Sequence, residues 1–164
     1  MFKTPTDAIV YSLAASKKLI HRFLNDLKPD EFEYQPCAGA NCAAWIIGHL
    51  TLTDRRSLTW LGVTDLPLLP EGFEERFKAT RTPAGEQKGY GEPAELVRLF
   101  DVHRDKLTAL LATADPAKFT EPPFSPNPLF ADRGEGLLFM GLHTSMHVGQ
   151  MTVIRRMLGY PPVT

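Results

Sequence analysis

The sequence predicts an all-α domain, a four-helix bundle with long irregular connections between helices 2 and 3 and between helices 3 and 4. Three observations carry that expectation. Four long stretches place apolar residues at three- and four-residue steps, each bounded by helix start and stop signals. No segment alternates as a half-buried strand would, and no internal repeat is present. The 164 residues, 43% hydrophobic and 23% charged, suit one globular domain over 1–164 with a sizeable core.

Thr4 is suited to the N-cap, Pro5 to the first helical position and Asp7 to the first turn of a helix expected to run to about Leu27. Ala8, Ile9, Leu13, Ser16, Ile20, Phe23, Leu24 and Leu27 form its inward stripe, and Lys28-Pro29 stops it. Asn41 is the expected N-cap of the second helix, whose stripe of Cys42, Trp45, Ile46, His49, Leu50, Thr53, Leu58 and Leu61 contains a histidine. That helix should end near Gly62. Residues 63–91, interrupted by Pro67, Pro70 and Pro83, read as an irregular excursion with one helical turn around 71–78.

Gly91-Glu92-Pro93 opens a third helix with Leu96, Phe100, His103, Leu107, Leu110 and Leu111 inward, ending around Thr113 to Asp115. The prolines between residues 113 and 133 argue against regular structure there, and Phe119, Phe124, Leu129 and Phe130 would lie against the bundle as a wrapped lid. Asp132 followed by Glu135 resembles a capping box for a fourth helix running to Leu158, before Gly159 and Pro161-Pro162.

Charge and cysteine content narrow the function classes. Eighteen Lys and Arg against nineteen Asp and Glu leave a net charge of -1, which argues against a nucleic-acid or membrane-surface partner and towards a small molecule. No apolar run approaches the roughly 20 residues of a membrane span, and the N-terminal stretch is a poor signal peptide, so a cytoplasmic location is expected. Cys37 and Cys42 are too few for a disulfide scaffold. Cys42, at the start of a helix, could have its thiol pKa lowered by the macrodipole, against the ordinary use of a buried cysteine as packing.

The chemistry concentrates in GLHTSMHVGQ, residues 141–150, where His143 and His147 are four positions apart in an apolar run. On a helix that spacing puts both imidazoles on one face, within reach of one ion. His49, inward on the second helix, is the candidate third ligand, because bundle sites are built from facing helices. Three imidazoles with an open position suit a divalent ion such as Zn²⁺, Ni²⁺ or Fe²⁺, Zn or Ni first. Two core histidines would look the same in sequence. Two sharper patterns fail: a zincin needs Glu where Thr144 stands, and no Glu precedes His49, His143 or His147 by three residues as a di-iron bundle requires.

Gln150, three residues beyond His147, could support a ligand histidine or pair between helices. His103 could approach the ion as a fourth ligand or proton shuttle, or be a satisfied core residue. Asp54 with Arg55 and Arg56 reads as a solvated charge cluster, His21 as solvated surface, and Arg155 and Arg156 as cations complementing the last turn of the fourth helix.

WIIGHL at 45–50, HTSMHVGQ at 143–150 and RRMLGYPP at 155–162, with Tyr34-Gln35-Pro36 upstream, resemble the DinB-like (DinB/YfiT) family of bundle proteins regarded as metalloenzymes. The likeness covers nearly the whole chain. It implies an up-down-down-up order, one divalent ion held by His49, His143 and His147, and frequent homodimers. Family members include thiol-dependent S-transferases and isomerases that use low-molecular-weight thiols such as bacillithiol, mycothiol or glutathione. The expected function is therefore a metal-dependent transferase that activates a small thiol, with the 113–133 segment shaping the acceptor pocket. A hydrolase activating water at the same ion, or a non-catalytic metal-binding and dimerisation module, are the alternatives.

Overall fold

In the computed structural model, which describes residues 4–78, 88–123 and 128–163, four long helices form the bundle: α1 (Pro5–Leu24), α2 (Ala43–Trp60), α4 (Pro93–Ala112) and α5 (Arg133–Met157). A one-turn helix, α3 (Phe73–Phe77), lies between α2 and α4, within the expected helical turn.

Local signals explain most of the boundaries. The Thr4 hydroxyl accepts from the Asp7 N–H at 3.2 Å while Asp7 accepts from the Thr4 N–H at 2.9 Å, a full capping box. Asp132 caps α5 by accepting from the Glu135 N–H at 2.8 Å, and Glu135 reaches back one residue further than expected, to the Ala131 N–H.

Three expectations about helix ends and connections need correction. The first helix stops at Leu24, not Leu27, because the chain turns there with the Leu27 N–H bonded to the Leu24 carbonyl; Leu27 is buried all the same. Cys42, not Asn41, caps α2, its sulfur accepting from the Trp45 N–H at 3.5 Å. The proline-rich connection is not wholly irregular: Pro116–Thr120 forms a 3₁₀ helix capped by Asp115 and carries Phe119 into the core beside Leu13, Leu107 and Leu137. Phe124 lies outside the described residues.

Named contacts give the directions of the helices. Gly141 meets Ser12 and Arg155 meets Phe23, so α1 and α5 run parallel. Lys17 pairs with Asp105 and His21 with Asp101, so α4 runs against α1. Ile46 and Leu50 share a cluster with Leu96 and Phe100, while Leu58 packs with Leu107 and Leu111, so α2 and α4 are parallel. Around the bundle the order is α1, α5, α2, α4, with α1 and α2 on one diagonal. This is the up-down-down-up arrangement. Since α2 and α4 point the same way, the chain between them must travel back along the bundle, and that return delivers α3 to the side of α2.

The interior is mostly apolar, and a buried charge spans it. Arg104, 1% exposed, reaches all three other long helices: Asp54 on α2, the Leu13 carbonyl and Ser16 on α1, and Thr144 on α5. Asp54 is fully buried, contrary to the solvated cluster expected of it. Arg155 and His21 also differ from expectation. Arg155 is buried against the Asp26 carboxylate and the Phe23 and Tyr160 rings, and His21 is half-buried against Asp101.

Candidate metal centre

Antiparallel packing of α2 on α5 brings His49 against His143 and His147. One ring nitrogen from each histidine lies within 4.8 Å of those of the other two. The Nε2 atoms of His143 and His147 are 3.1 Å apart, and the His49 ring centroid stands 5.3 Å from both partners. Two imidazole nitrogens sharing a tetrahedral ion at ~2.0 Å would stand about 3.3 Å apart, so the spacing fits a shared ion.

The far side of each ring decides which nitrogen faces the centre. His147 Nδ1 is 2.9 Å from the Gln150 side-chain oxygen, an acceptor, so Nδ1 carries the proton and Nε2 presents a lone pair. His49 Nδ1 donates to the Phe77 carbonyl at 3.1 Å and leaves its Nε2 unprotonated in the same way. The His143 Nδ1 atom is buried with no hydrogen-bond partner among the described residues. Lone pairs 3.1 Å apart repel unless a proton or a cation lies between them, which is the donor chemistry of a cation site.

Electrostatics keep the three rings neutral. Burial pulls His49 and His143 down to about 4; His147 adds to both shifts, Arg56 to that of His49, and His49 and Arg104 to that of His143. His147 is lowered too, mainly by burial and against the Gln150 hydrogen bond. Neutral imidazoles need shed no proton to bind a metal at neutral pH.

Aromatic rings wall the centre. Trp45 stacks on His49 at 4.7 Å and 7°, and Phe139 lies 6.2 Å from His143 with Phe130 beyond it. The position of α3 depends on Gly48, where a Cβ would stand only 2.2 Å from the Phe77 ring. That close approach sets the Phe77 carbonyl beside His49.

Of the candidates read from sequence, His49, His143, His147 and Gln150 are together. His103 is not with them. It lies buried on α4, its Nδ1 2.8 Å from the Leu99 carbonyl, with Asp54 and Arg55 as its charged neighbours. Cys42 is no reactive thiol: burial pushes it up to about 11, which outweighs the helix dipole. Sequence reasoning missed the Phe77 carbonyl, for which a backbone atom on an irregular segment leaves no signal. It also missed Arg104, whose signal was a cation directly after the inward-facing His103.

A model of the DinB superfamily matches residues 12–151, a span that contains all three histidines. The chain belongs to the DinB superfamily. Solved structures agree on the fold of this DinB-superfamily domain. A conserved protein from Enterococcus faecalis superposes with a TM-score of 0.75 at 14% identity, covering 97% of this chain and 99% of that one. YfiT from Bacillus subtilis, described as a probable metal-dependent hydrolase with an unusual four-helix bundle topology, gives a TM-score of 0.71 at 13% identity over 98% of this chain and 91% of its own. No curated protein gives a significant match.

Proposed function

We propose that this DinB-superfamily chain is a metal-dependent enzyme in which His49, His143 and His147 hold one divalent ion, Zn²⁺ or Ni²⁺, and leave a position open for a small thiol. The observation that carries the reading is the convergence of three neutral imidazoles, of which His147 and His49 have their outer nitrogens held by Gln150 and the Phe77 carbonyl. When bound, the ion would supply Lewis acidity, lowering the pKa of a thiol or a water in its open position.

The chain's own residues favour an anionic nucleophile. Three neutral ligands cancel none of the ion's charge, and the side chains that add to the His49 and His143 shifts from outside the trio are the cations Arg56 and Arg104. A thiolate answers that positive field. Trp45, Phe139 and Phe130 offer apolar surface to an organic acceptor. The thiol itself rests on the family resemblance. Water as the nucleophile is the second reading, favoured by the description of YfiT as a probable metal-dependent hydrolase.

Elemental analysis of untagged protein should find about one divalent ion per chain, and His147→Ala should lose it while keeping its helical circular dichroism. With Co²⁺ in the site, a small thiol should produce a sulfur-to-metal charge-transfer band, and turnover of an electrophile should require that thiol. Turnover without thiol would move the assignment to the hydrolase. A fully loaded protein with neither response over a broad panel would leave a non-catalytic metal-binding module.

A further inference from the structure

Beside the three histidines, α2 and α3 enclose a cleft of about 390 Å³ whose walls are charged. Arg55 and Arg56 rise from α2, Glu74 and Glu75 from α3, and Lys78 from the residue after α3, with Leu52 between them. Arg55 is engaged: its Nη1 donates to the Pro67 carbonyl at 2.6 Å, and its Nε lies 3.5 Å from the Glu74 carboxylate. Arg56 and Lys78 differ. Both are exposed, and neither side chain has a hydrogen bond or an ion pair among the described residues, although Glu75 lines the same cleft.

Both free cations are tied to the metal centre by the backbone that carries them. Arg56 follows His49 by two turns, or ~10 Å along α2, so the two share a face. Helical side chains lean towards the N-terminus, which carries the guanidinium back towards His49, where its charge is felt. Lys78 directly follows Phe77, whose carbonyl accepts from His49 Nδ1 at 3.1 Å. In the cleft as a whole three cations, Arg55, Arg56 and Lys78, face the two carboxylates of Glu74 and Glu75, an excess of one positive charge.

We propose that Arg56 and Lys78 form a carboxylate subsite, so that the molecule entering the metal's open position is an organic acid: one end meets the ion, and its carboxylate meets the guanidinium and the ammonium. The subsite presupposes an ion held by His49, His143 and His147. It narrows the substrate class from any small thiol or electrophile to one that carries an acid group. A guanidinium with no partner of its own takes a carboxylate through two parallel N–H···O bonds, and a neighbouring ammonium adds a point charge. A monoanion balances the excess charge of the cleft, whereas a phosphate dianion would exceed it. A neutral molecule of the same shape gains nothing from either cation.

Titrations of the full chain loaded with Co²⁺, read by the sulfur-to-metal charge-transfer band, compare mercaptobutyrate, mercaptopentanoate and mercaptohexanoate with the mercapto-alcohols of the same lengths. At least one acid should bind about 10-fold or more tightly than its alcohol, an advantage that added salt reduces. Arg56→Leu combined with Lys78→Gln should remove the advantage with unchanged circular dichroism and metal content, and Arg56→Lys should keep part of it. The ratio of acid to alcohol cancels any general change in the field at the ion. Acids no tighter than alcohols at every length, or an advantage that survives the double replacement, would overturn the subsite. If no thiol binds the loaded protein, succinic monohydroxamate against acetohydroxamate makes the same comparison through oxygen ligands, so loss of the thiol and loss of the subsite are separate outcomes. A chain that takes up no metal would end both.

Discussion

Arg104 on α4 donates through Nε to the Asp54 carboxylate on α2 at 2.7 Å, in a pair 1% and 0% exposed. Its other nitrogens bind α1 and α5, so one guanidinium touches every long helix and lies against Thr144, next in sequence to His143. Burial raises the Asp54 carboxyl, with Arg104 opposing the shift. Asp54→Asn or Arg104→Met alone should cost about 3–5 kcal/mol in urea unfolding, since each leaves a partner uncompensated. The double replacement Asp54→Leu with Arg104→Met should cost less than the sum. An additive pair would show that the two do not act together.

Gln150 predicts a graded metal phenotype. Gln150→Leu removes the acceptor for His147 Nδ1 and should weaken Zn²⁺ binding by about 10- to 100-fold at little cost in stability, because the residue is exposed. Gln150→Glu keeps an acceptor and should restore the affinity. Competition with a chromophoric chelator measures both. Equal losses in the two variants would dissociate the amide from His147.

Gly48→Ala tests the seat of α3. The added methyl collides with the Phe77 ring, so α3 must shift and the carbonyl on His49 must move with it. About 1–3 kcal/mol of stability should be lost to overpacking, and metal affinity should fall although no ligand has been changed. Phe77→Ala in the same protein should relieve the clash and recover part of the stability.

Acid should destabilise the metal-free protein over a defined window. Burial leads the lowering of His49 and His143 to about 4 and the lowering of His103 and His147, from an ordinary value of 6.5. Between those values the unfolded chain binds protons that the folded chain refuses, so the stabilisation is fully present above about pH 6.5 and declines as pH falls towards 4. Urea midpoints should therefore rise with pH from 4.5 to 7. His103→Gln, remote from the metal centre, should flatten part of that slope, and a slope of opposite sign would contradict the burial of these rings.

Periodicity and caps marked the helices because they are local. Thr4 with Asp7 and Asp132 with Glu135 satisfy N–H groups within four residues of themselves, so the starts of α1 and α5 were legible in the chain. The start of α2 was less so. Asn41 and Cys42 both offer a capping atom, and the burial of Cys42 selected the sulfur, a choice that depends on what packs above it.

The histidines of the candidate metal centre were legible for a different reason. His143 and His147 share a face by helix geometry alone, and His49 stood on a stripe already known to point inward. By itself, then, the sequence determined four helices, their inward faces and three imidazoles aimed at a common interior. Tertiary structure decided which helices are neighbours, and so which side chains hold those imidazoles in place. The Phe77 carbonyl reaches His49 from 28 residues away, and Arg104 finds Asp54 from 50 away. Neither pairing follows from a spacing, because each depends on a chain return and a diagonal that local preferences do not specify. What a buried charge or a buried N–H will meet is settled only when the helices have chosen their partners.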